Sequence, residues 1–489
     1  MLGKKLSQNF AINIVSMVLG ILSSIFIARI GGPAILGNIS LAMSFQVLVK
    51  SIFTHTVNSA HLKMYSDNNK VGLRNYLYVF IFYNILTTLL VLLFVLWNNQ
   101  SQQGTFTDLQ INLIIIFILQ DYLLTPLYMY VTDQSSKLNI LRANMVDFSS
   151  QILINIAKIV AVVLGESEIG IAWYIIIACG ISSIYPLSKL LKDKFGSFAG
   201  VDIRKYIRYS LSISTSTIAY GLLLSFDKVL LGLYAVPAAN IGYYNVGNRL
   251  GLLLMTIGVS VGGIFLSVFS QNIIEKKYDK TLEQLGNYER YISILFFPAI
   301  FFSILFGREI ITLVFGVIYA RAYPILILSL LFALTKTLTI PFQNYLFANN
   351  HFKAFNQGSI VFAVSIVGIS LLLVYLDLFN DLTISVALGL LIACLIERLF
   401  FVWGARDIDK RIQFLFHPHI LLVFSVLAVS WFIAESFIDP GQVVLSYTVR
   451  GILLLAVLPV CFLFGIYTMA DVHLVTDFVK SKLPKKNTL

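Results

Sequence analysis

The stretch LLLSFDKVLLG, residues 222–232, sets Asp227 and Lys228 side by side within a run of leucines. The wider run from Tyr206 to Tyr234 is long enough to cross a bilayer, which takes roughly 20 mostly apolar residues. An ionisable side chain near the middle of such a helix costs on the order of 3 kcal/mol on insertion scales, so it marks a functional or a paired position. Consecutive residues of a helix point about 100° apart, and Asp227 and Lys228 are therefore expected to find their partners elsewhere.

The rest of the chain has the same character. Of 489 residues, 58% are hydrophobic and only 12% charged, with a mean hydropathy of +0.85, whereas a soluble domain carries roughly 25% charged residues. The expected fold class is all-α, a polytopic membrane protein of about fourteen spans. They lie near residues 9–30, 34–58, 76–97, 109–131, 144–165, 169–191, 206–234, 240–270, 288–316, 322–348, 352–376, 382–404, 418–438 and 442–470. The first of these reads as a retained helix, because it precedes many more spans and lacks an A-x-A cleavage signal. Cys179, Cys394 and Cys461 each sit in an apolar segment and read as packing residues, with no disulfide framework.

A net charge of +11 does not point to nucleic acid, because the excess sits in membrane-flanking loops. Basic residues crowd the N-terminus, every second connection and the C-terminal tail. The opposite set of loops holds only Arg29, Arg308 and Arg321. This asymmetry places both termini in the cytoplasm. The longest basic loop, KDKFGSFAGVDIRKY at 192–206, separates two halves: an N-terminal six-helix bundle at 1–191, a linker at 192–205, and a C-terminal six-helix bundle at 206–405. Two further helices and a basic tail occupy 406–489.

The halves echo each other. GGPAILGNISLA at 31–42 lies between spans one and two, and AVPAANIGYYNVG at 235–247 lies between spans seven and eight; SKLNILRANMVDF at 136 and NHFKAFNQGSIVF at 350 open spans five and eleven. Repeats of six spans share one orientation, and substrate sites then fall between them. These stretches, together with FDKVLLG, IGYYNVGNRL and FGREIITLVFGVIYARAYPIL at 306–326, resemble the polysaccharide-repeat-unit flippases of the multidrug/oligosaccharidyl-lipid/polysaccharide exporter superfamily. The resemblance implies two six-helix bundles in a V-shaped, alternately opening arrangement plus a C-terminal helix pair. It also implies a substrate, an oligosaccharide repeat unit on a polyprenyl pyrophosphate, moved from the inner to the outer leaflet of a bacterial plasma membrane for surface polysaccharide such as O-antigen or capsule. Cavity cations on spans one, two and eight of the related peptidoglycan-precursor flippase correspond by span to Arg29, Lys50 and Arg249.

Seven cations lie within spans: Lys50, Lys158, Lys228, Arg249, Lys336, Arg398 and Arg450. An anionic pyrophosphate crosses hydrocarbon only through a polar, cation-lined path, for which arginine supplies a fork and lysine a point charge. The candidate substrate-binding residues are Arg29, Lys50, Asp227, Lys228, Arg249 and Lys336. Asp227 is expected to pair with Arg249, leaving Lys228 toward the substrate; the bland alternative is a purely structural pair. Glu397 and Arg398 read as interface anchors, and Lys158 and Arg450 as structural or lipid-facing.

Other motifs carry less. DID at 407–409 has the spacing of a metal-holding glycosyltransferase motif but sits in a short basic loop, and HPH at 417–419 lacks further zinc ligands. No cofactor is expected, nor an enzyme. The competing readings are a polymerase or ligase of lipid-linked glycans, and a drug/cation antiporter of the same superfamily, which would favour acids over these cations. Outward movement of an anion is favoured by about 2.3 kcal/mol per charge per 100 mV of inside-negative potential. A proton or sodium ion coupled through Asp121, Asp147, Asp227 or Glu397 is the alternative driving force. Membrane lipids and a polysaccharide polymerase are the further expected partners.

Overall fold

The computed structural model describes residues 2–463 except 53, 68–72, 102–104, 138, 193–202, 378, 413–417 and 437–442. Among the described residues there is no strand. Helices α1 (Leu2–Phe26), α2 (Gly32–Ile52), α3 (Thr54–Asp67), α4 (Leu73–Ser101), α5 (Asp108–Ser136), α6 (Ile140–Val163) and α7 (Glu168–Lys192) are followed by α8 (Ile203–Leu233), α9 (Ala238–Ile274), α10 (Tyr278–Phe315), α11 (Tyr323–Ala348), α12 (Phe352–Leu376), α13 (Leu382–Ile408), α14 (Pro418–Ser436) and α15 (Val443–Leu463). Nine described stretches are long and apolar enough to cross a bilayer, and the protein is a multi-pass membrane protein. The linker at 192–205 falls largely on residues outside the described set, as do the C-terminal tail and the side chains of the HPH motif and Cys461.

Local sequence explains the ends. Thr107 caps α5, accepting from the Gln110 amide at 3.3 Å while the Gln110 side chain accepts from the Thr107 amide at 3.1 Å, a reciprocal box that satisfies two orphan donors. At 38 residues, α10 spans about 57 Å, far more than a hydrocarbon core of roughly 30 Å. Its polar opening turns, YDKTLEQLGNYER, account for the surplus. Leu93 and Trp97 of α4 and Phe82 on the same helix are exposed, a face suited to lipid.

The chain divides into two compact units. The first comprises Met1–Leu253, Ile311–Phe332 and Phe352–Glu397; the second comprises Leu254–Ile310, Ala333–His351 and Arg398–Leu489. Within the first unit α2 packs along α8, α5 along α7 and α1 along α6. The two echoing stretches touch here. A methyl group on Gly37 would lie 1.7 Å from the carbonyl oxygen of Ala238, and one on Gly242 would lie 2.1 Å from that of Pro33. Pro33 and Gly37 thus face Gly242 and Ala238, a reciprocal contact of the kind a local two-fold produces. Only glycine lets the two backbones approach so closely.

The first unit holds an aromatic-rich core that includes Val57, Ala60, Tyr76, Phe80, Tyr130 and Tyr206. His61 of α3 stacks on Tyr76 with ring centroids 4.3 Å apart, and its Nδ1 is 2.8 Å from the Tyr206 hydroxyl. In the second unit, Tyr288 of α10 donates to the carbonyls of Gly258 and Thr337, each at 3.4 Å. Free Cys179 and Cys394 are both buried.

Candidate functional site

Each intramembrane charge has to be placed with the group that offsets it. Asp227 is fully buried, and its partners differ from the expected ones. It accepts from the Lys228 amide and from Asn248 Nδ2, both at 2.8 Å, and Lys228 Nζ lies 3.2 Å from both carboxylate oxygens. The flexible four-carbon stem of lysine curls back around the helix, which a reading based on Cβ directions misses. No Asp227–Arg249 pair forms; the neighbour on α9 that reaches Asp227 is Asn248. The Lys228 ammonium is 6.0 Å from the centroid of the buried Tyr244 ring.

Lys50 stands in the last turn of α2, half-buried. Its ammonium donates to the Tyr128 hydroxyl and lies 3.8 Å from that ring's centroid, a cation–π contact. One turn earlier, Gln46 donates to Asp121 Oδ1 at 2.9 Å. Helix periodicity builds this ladder: Gln46 and Lys50 share a face of α2, and Asp121 and Tyr128, two turns apart, share a face of α5. Asp121 Oδ2 has no hydrogen-bond partner among the described residues. Asp147 of α6 lies within electrostatic reach of Lys50. Gln46 and Tyr128 were not singled out in the sequence; the four-residue spacing of Gln46 from Lys50 is the signal that finds the first.

Arg29 is presented from a π-helical turn, Ile27–Gly31, that ends at Gly32 with φ of 82°, and such turns concentrate at functional positions. It is exposed. Its guanidinium donates to the carbonyl oxygens of Val314, at 2.8 Å, and Leu313, satisfying the C-terminal end of α10. Tyr319 donates to the Ala28 carbonyl beside it, at 3.1 Å.

Arg249, half-buried on α9, differs from all of these. Its Nη2 lies against Gly20 of α1, 3.6 Å from where a methyl group there would sit. Among the described residues it has neither a hydrogen-bond acceptor nor a carboxylate. Lys336 of α11 belongs to the second unit and is half-buried between buried Thr335 and Thr337.

One expectation outside the candidate set is overturned. Arg398 is no interface anchor: it is 2% exposed, donates to the Leu338 carbonyl at 2.5 Å, pairs with Glu289 and lies 5.1 Å from the Phe342 ring centroid. Arg450, read as structural or lipid-facing, is paired with Glu309. The DID loop is a clasp, with Arg411 donating to Asp409 at 2.8 Å and to Asp279 at 2.6 Å. Hydrogen bonding from Arg411 holds the Asp409 carboxyl below the usual carboxylate range. Among the described residues no cluster of three or more His, Cys, Asp and Glu side chains has the geometry to hold a metal.

No curated protein matches the sequence. Solved structures do match in fold. A lipid II flippase MurJ in an inward closed conformation is 14% identical with a TM-score of 0.69, covering 91% of this chain and 97% of its own. A Vibrio cholerae MATE transporter is 12% identical with a TM-score of 0.51, covering 84% and 97%. A transporter of the MOP superfamily from Pyrococcus furiosus, described as having a binding pocket of reversed polarity, is 14% identical with a TM-score of 0.50, covering 82% and 94%. The fold is therefore that of the MurJ and MATE transporters. A family model described as polysaccharide biosynthesis protein matches residues 26–324, more than half of the sequence, and the chain belongs to that family.

Proposed function

We propose that the protein translocates polyprenyl-pyrophosphate-linked oligosaccharide repeat units from the cytoplasmic to the outer leaflet of a bacterial inner membrane, supplying O-antigen or capsule synthesis. The observation that carries this reading is Arg249: a half-buried guanidinium on the apolar helix α9 without an acid beside it among the described residues. Leaving such a charge unpaired is costly, and an anionic substrate offsets the cost only while it is bound. The fold shared with a lipid II flippase and the polysaccharide biosynthesis family support the same reading. A drug/cation antiporter would gain nothing from this charge.

In this reading both termini are cytoplasmic and the two six-span halves, 1–191 and 206–405, rock about the substrate. Arg249 and Lys50 are its contacts. Arg29 holds the end of α10, and the satisfied Asp227–Lys228 pair fixes α8 against α9. The protein acts as a transporter rather than an enzyme, driven by membrane potential or by a coupled cation, and hands its cargo to a polysaccharide polymerase.

The test is the leaflet distribution of lipid-linked sugars in cells depleted of the protein and complemented with variants. Depletion accumulates complete repeat units on the cytoplasmic leaflet. Arg249→Glu fails to relieve this while remaining in the membrane, and Asp409→Ala relieves it fully. Complete but unpolymerised units on the outer leaflet of depleted cells would refute translocation.

A further inference from the structure

Within the first unit a seam joins residues of the two six-span halves. Its partners run in opposite directions, α2 and α3 of the first half against α8 and the start of α9 of the second. Down the seam, Gly37 meets Ala238, Leu41 meets Gly232, Ser51 meets Gly221, Thr56 meets Thr217 and His61 meets Tyr206. Along α8, Gly232 and Tyr206 are about 39 Å apart at 1.5 Å per residue, so the seam is longer than a hydrocarbon core of roughly 30 Å.

The two ends of the seam are built differently. At the end that loop charge places outside, the helices touch through glycine: a methyl group on Gly37 would lie 1.7 Å from the Ala238 carbonyl oxygen, and one on Gly232 would lie 2.6 Å from Leu41 Cδ1. The middle is as tight, with a methyl group on Gly221 falling 2.3 Å from Ser51 Cβ. Backbones this close have no long side chains to swing aside, which suits a pivot. Beyond Gly221, toward the inner end, side chains take over. The Thr56 and Thr217 hydroxyls are 2.7 Å apart, and His61 Nδ1 is 2.8 Å from the Tyr206 hydroxyl. The wholly buried Tyr206 enters the aromatic-rich core from α8, with Tyr209 packed against it, whereas Val57, Tyr76, Tyr130 and Leu190 of that core come from α3, α4, α5 and α7. Its ring centroid is 6.5 Å from that of Tyr76. A knob from one half thus sits in a socket made by the other. Neutral hydrogen bonds and ring pairs are each worth little net, and tyrosine carries a polar tip that can return to water. Such a contact is held by few enough interactions to exchange between a closed and an open population.

We propose that the α3–α8 contact is the inner gate of the transporter, with Tyr206 the knob that closes it, His61 the latch that holds the knob, and the glycine-lined outer stretch the pivot. This deepens the translocation reading and rests on it: a headgroup taken from the cytoplasmic leaflet enters between the halves only where their inner ends part.

The test locks the gate in the full-length protein, in a background carrying Cys179→Ala, Cys394→Ala and Cys461→Ala. Thr56→Cys with Thr217→Cys puts two sulfurs where hydroxyls now stand 2.7 Å apart, within reach of a disulfide after a small adjustment. In cells, copper phenanthroline joins the two cysteines, export falls at least tenfold, lipid-linked repeat units accumulate on the cytoplasmic leaflet, and reduction restores export. Either cysteine alone is insensitive to the oxidant. A complete cross-link with undiminished export overturns the gate and leaves translocation standing. Cysteines that react with maleimide yet never cross-link show that the halves do not meet here, and overturn it too. A second readout needs no export: in inside-out vesicles Tyr206→Phe, which keeps the ring and loses only its bond to His61, raises labelling of Thr217→Cys by a membrane-impermeant maleimide at least threefold. Unchanged labelling contradicts the latch. Complete but unpolymerised units on the outer leaflet of depleted cells refute translocation, and the gate with it.

Discussion

Removing the carboxylate of Asp227 provides a sharp test of how the buried charges are held. The side chain is wholly buried and accepts four hydrogen bonds from three groups: the Lys228 amide, the Asn248 amide group, and the Lys228 ammonium at each of its two oxygens. In Asp227→Ala the ammonium of Lys228, itself 6% exposed, is left without its counter-charge. Breaking a buried pair from one side typically costs about 3–5 kcal/mol. At 1.4 kcal/mol per factor of ten, the fold loses roughly a hundred- to several-thousand-fold in its unfolding equilibrium. Replacing both residues, as Asp227→Leu with Lys228→Met, removes the charge and its desolvation together and is expected to be neutral within about 1 kcal/mol, or stabilising.

The assay is unfolding of the purified protein in mixed micelles by increasing sodium dodecyl sulfate, for the two single variants, the double variant and the wild type. The coupling between the residues is read from the full cycle. An Asp227→Ala penalty below about 1 kcal/mol, or a double variant as unstable as the two singles summed, would refute the pairing argument. Export provides a second readout. The double variant retains it if the pair only fixes α8 against α9; a stable double variant without export would assign the pair to substrate instead.

The reciprocal glycine contact predicts that Gly242→Leu, which drives a side chain into the Pro33 carbonyl, reduces export at least tenfold while the protein still reaches the membrane; undiminished export would show that α2 and α9 need not approach this closely. His61, past the end of the second span, has its imidazole pushed down to about 4 by burial and secondarily by Lys137. The unfolded chain therefore binds a proton near pH 6.5 that the folded chain refuses until about 4. Stability accordingly falls as pH drops through that window, by at most about 1.4 kcal/mol per pH unit from this residue. The difference between wild type and His61→Phe across pH 7.5–4.5 isolates this contribution, and identical profiles would exclude it. For the second unit, Arg398→Met leaves Glu289 buried and unpaired and is expected to destabilise by about 3–5 kcal/mol, recovered largely by adding Glu289→Met; an equally unstable double variant would contradict the pairing.

The sequence makes the elements legible because the bilayer imposes a single rule, an apolar run long enough to cross. The expected spans between residues 76 and 191 fall on α4 to α7, whereas the expected second span, 34–58, is covered by two helices, α2 and α3, and the echo between residues 31–42 and 235–247 marks the stretches that meet at Gly37 and Gly242. The charges are legible as positions but not as pairs. Insertion cost flags Lys158, Lys228, Arg249 and Arg398 equally, whereas the partner of each is set by helix register and side-chain reach. Register brings Glu289 to Arg398 across 109 residues, and reach lets Lys228 turn back onto its own neighbour. Once those partners are assigned, Arg249 stands with no acid beside it among the described residues. A bilayer protein has little stability to gain from such a charge, so its presence is better explained by what it binds than by what it packs against.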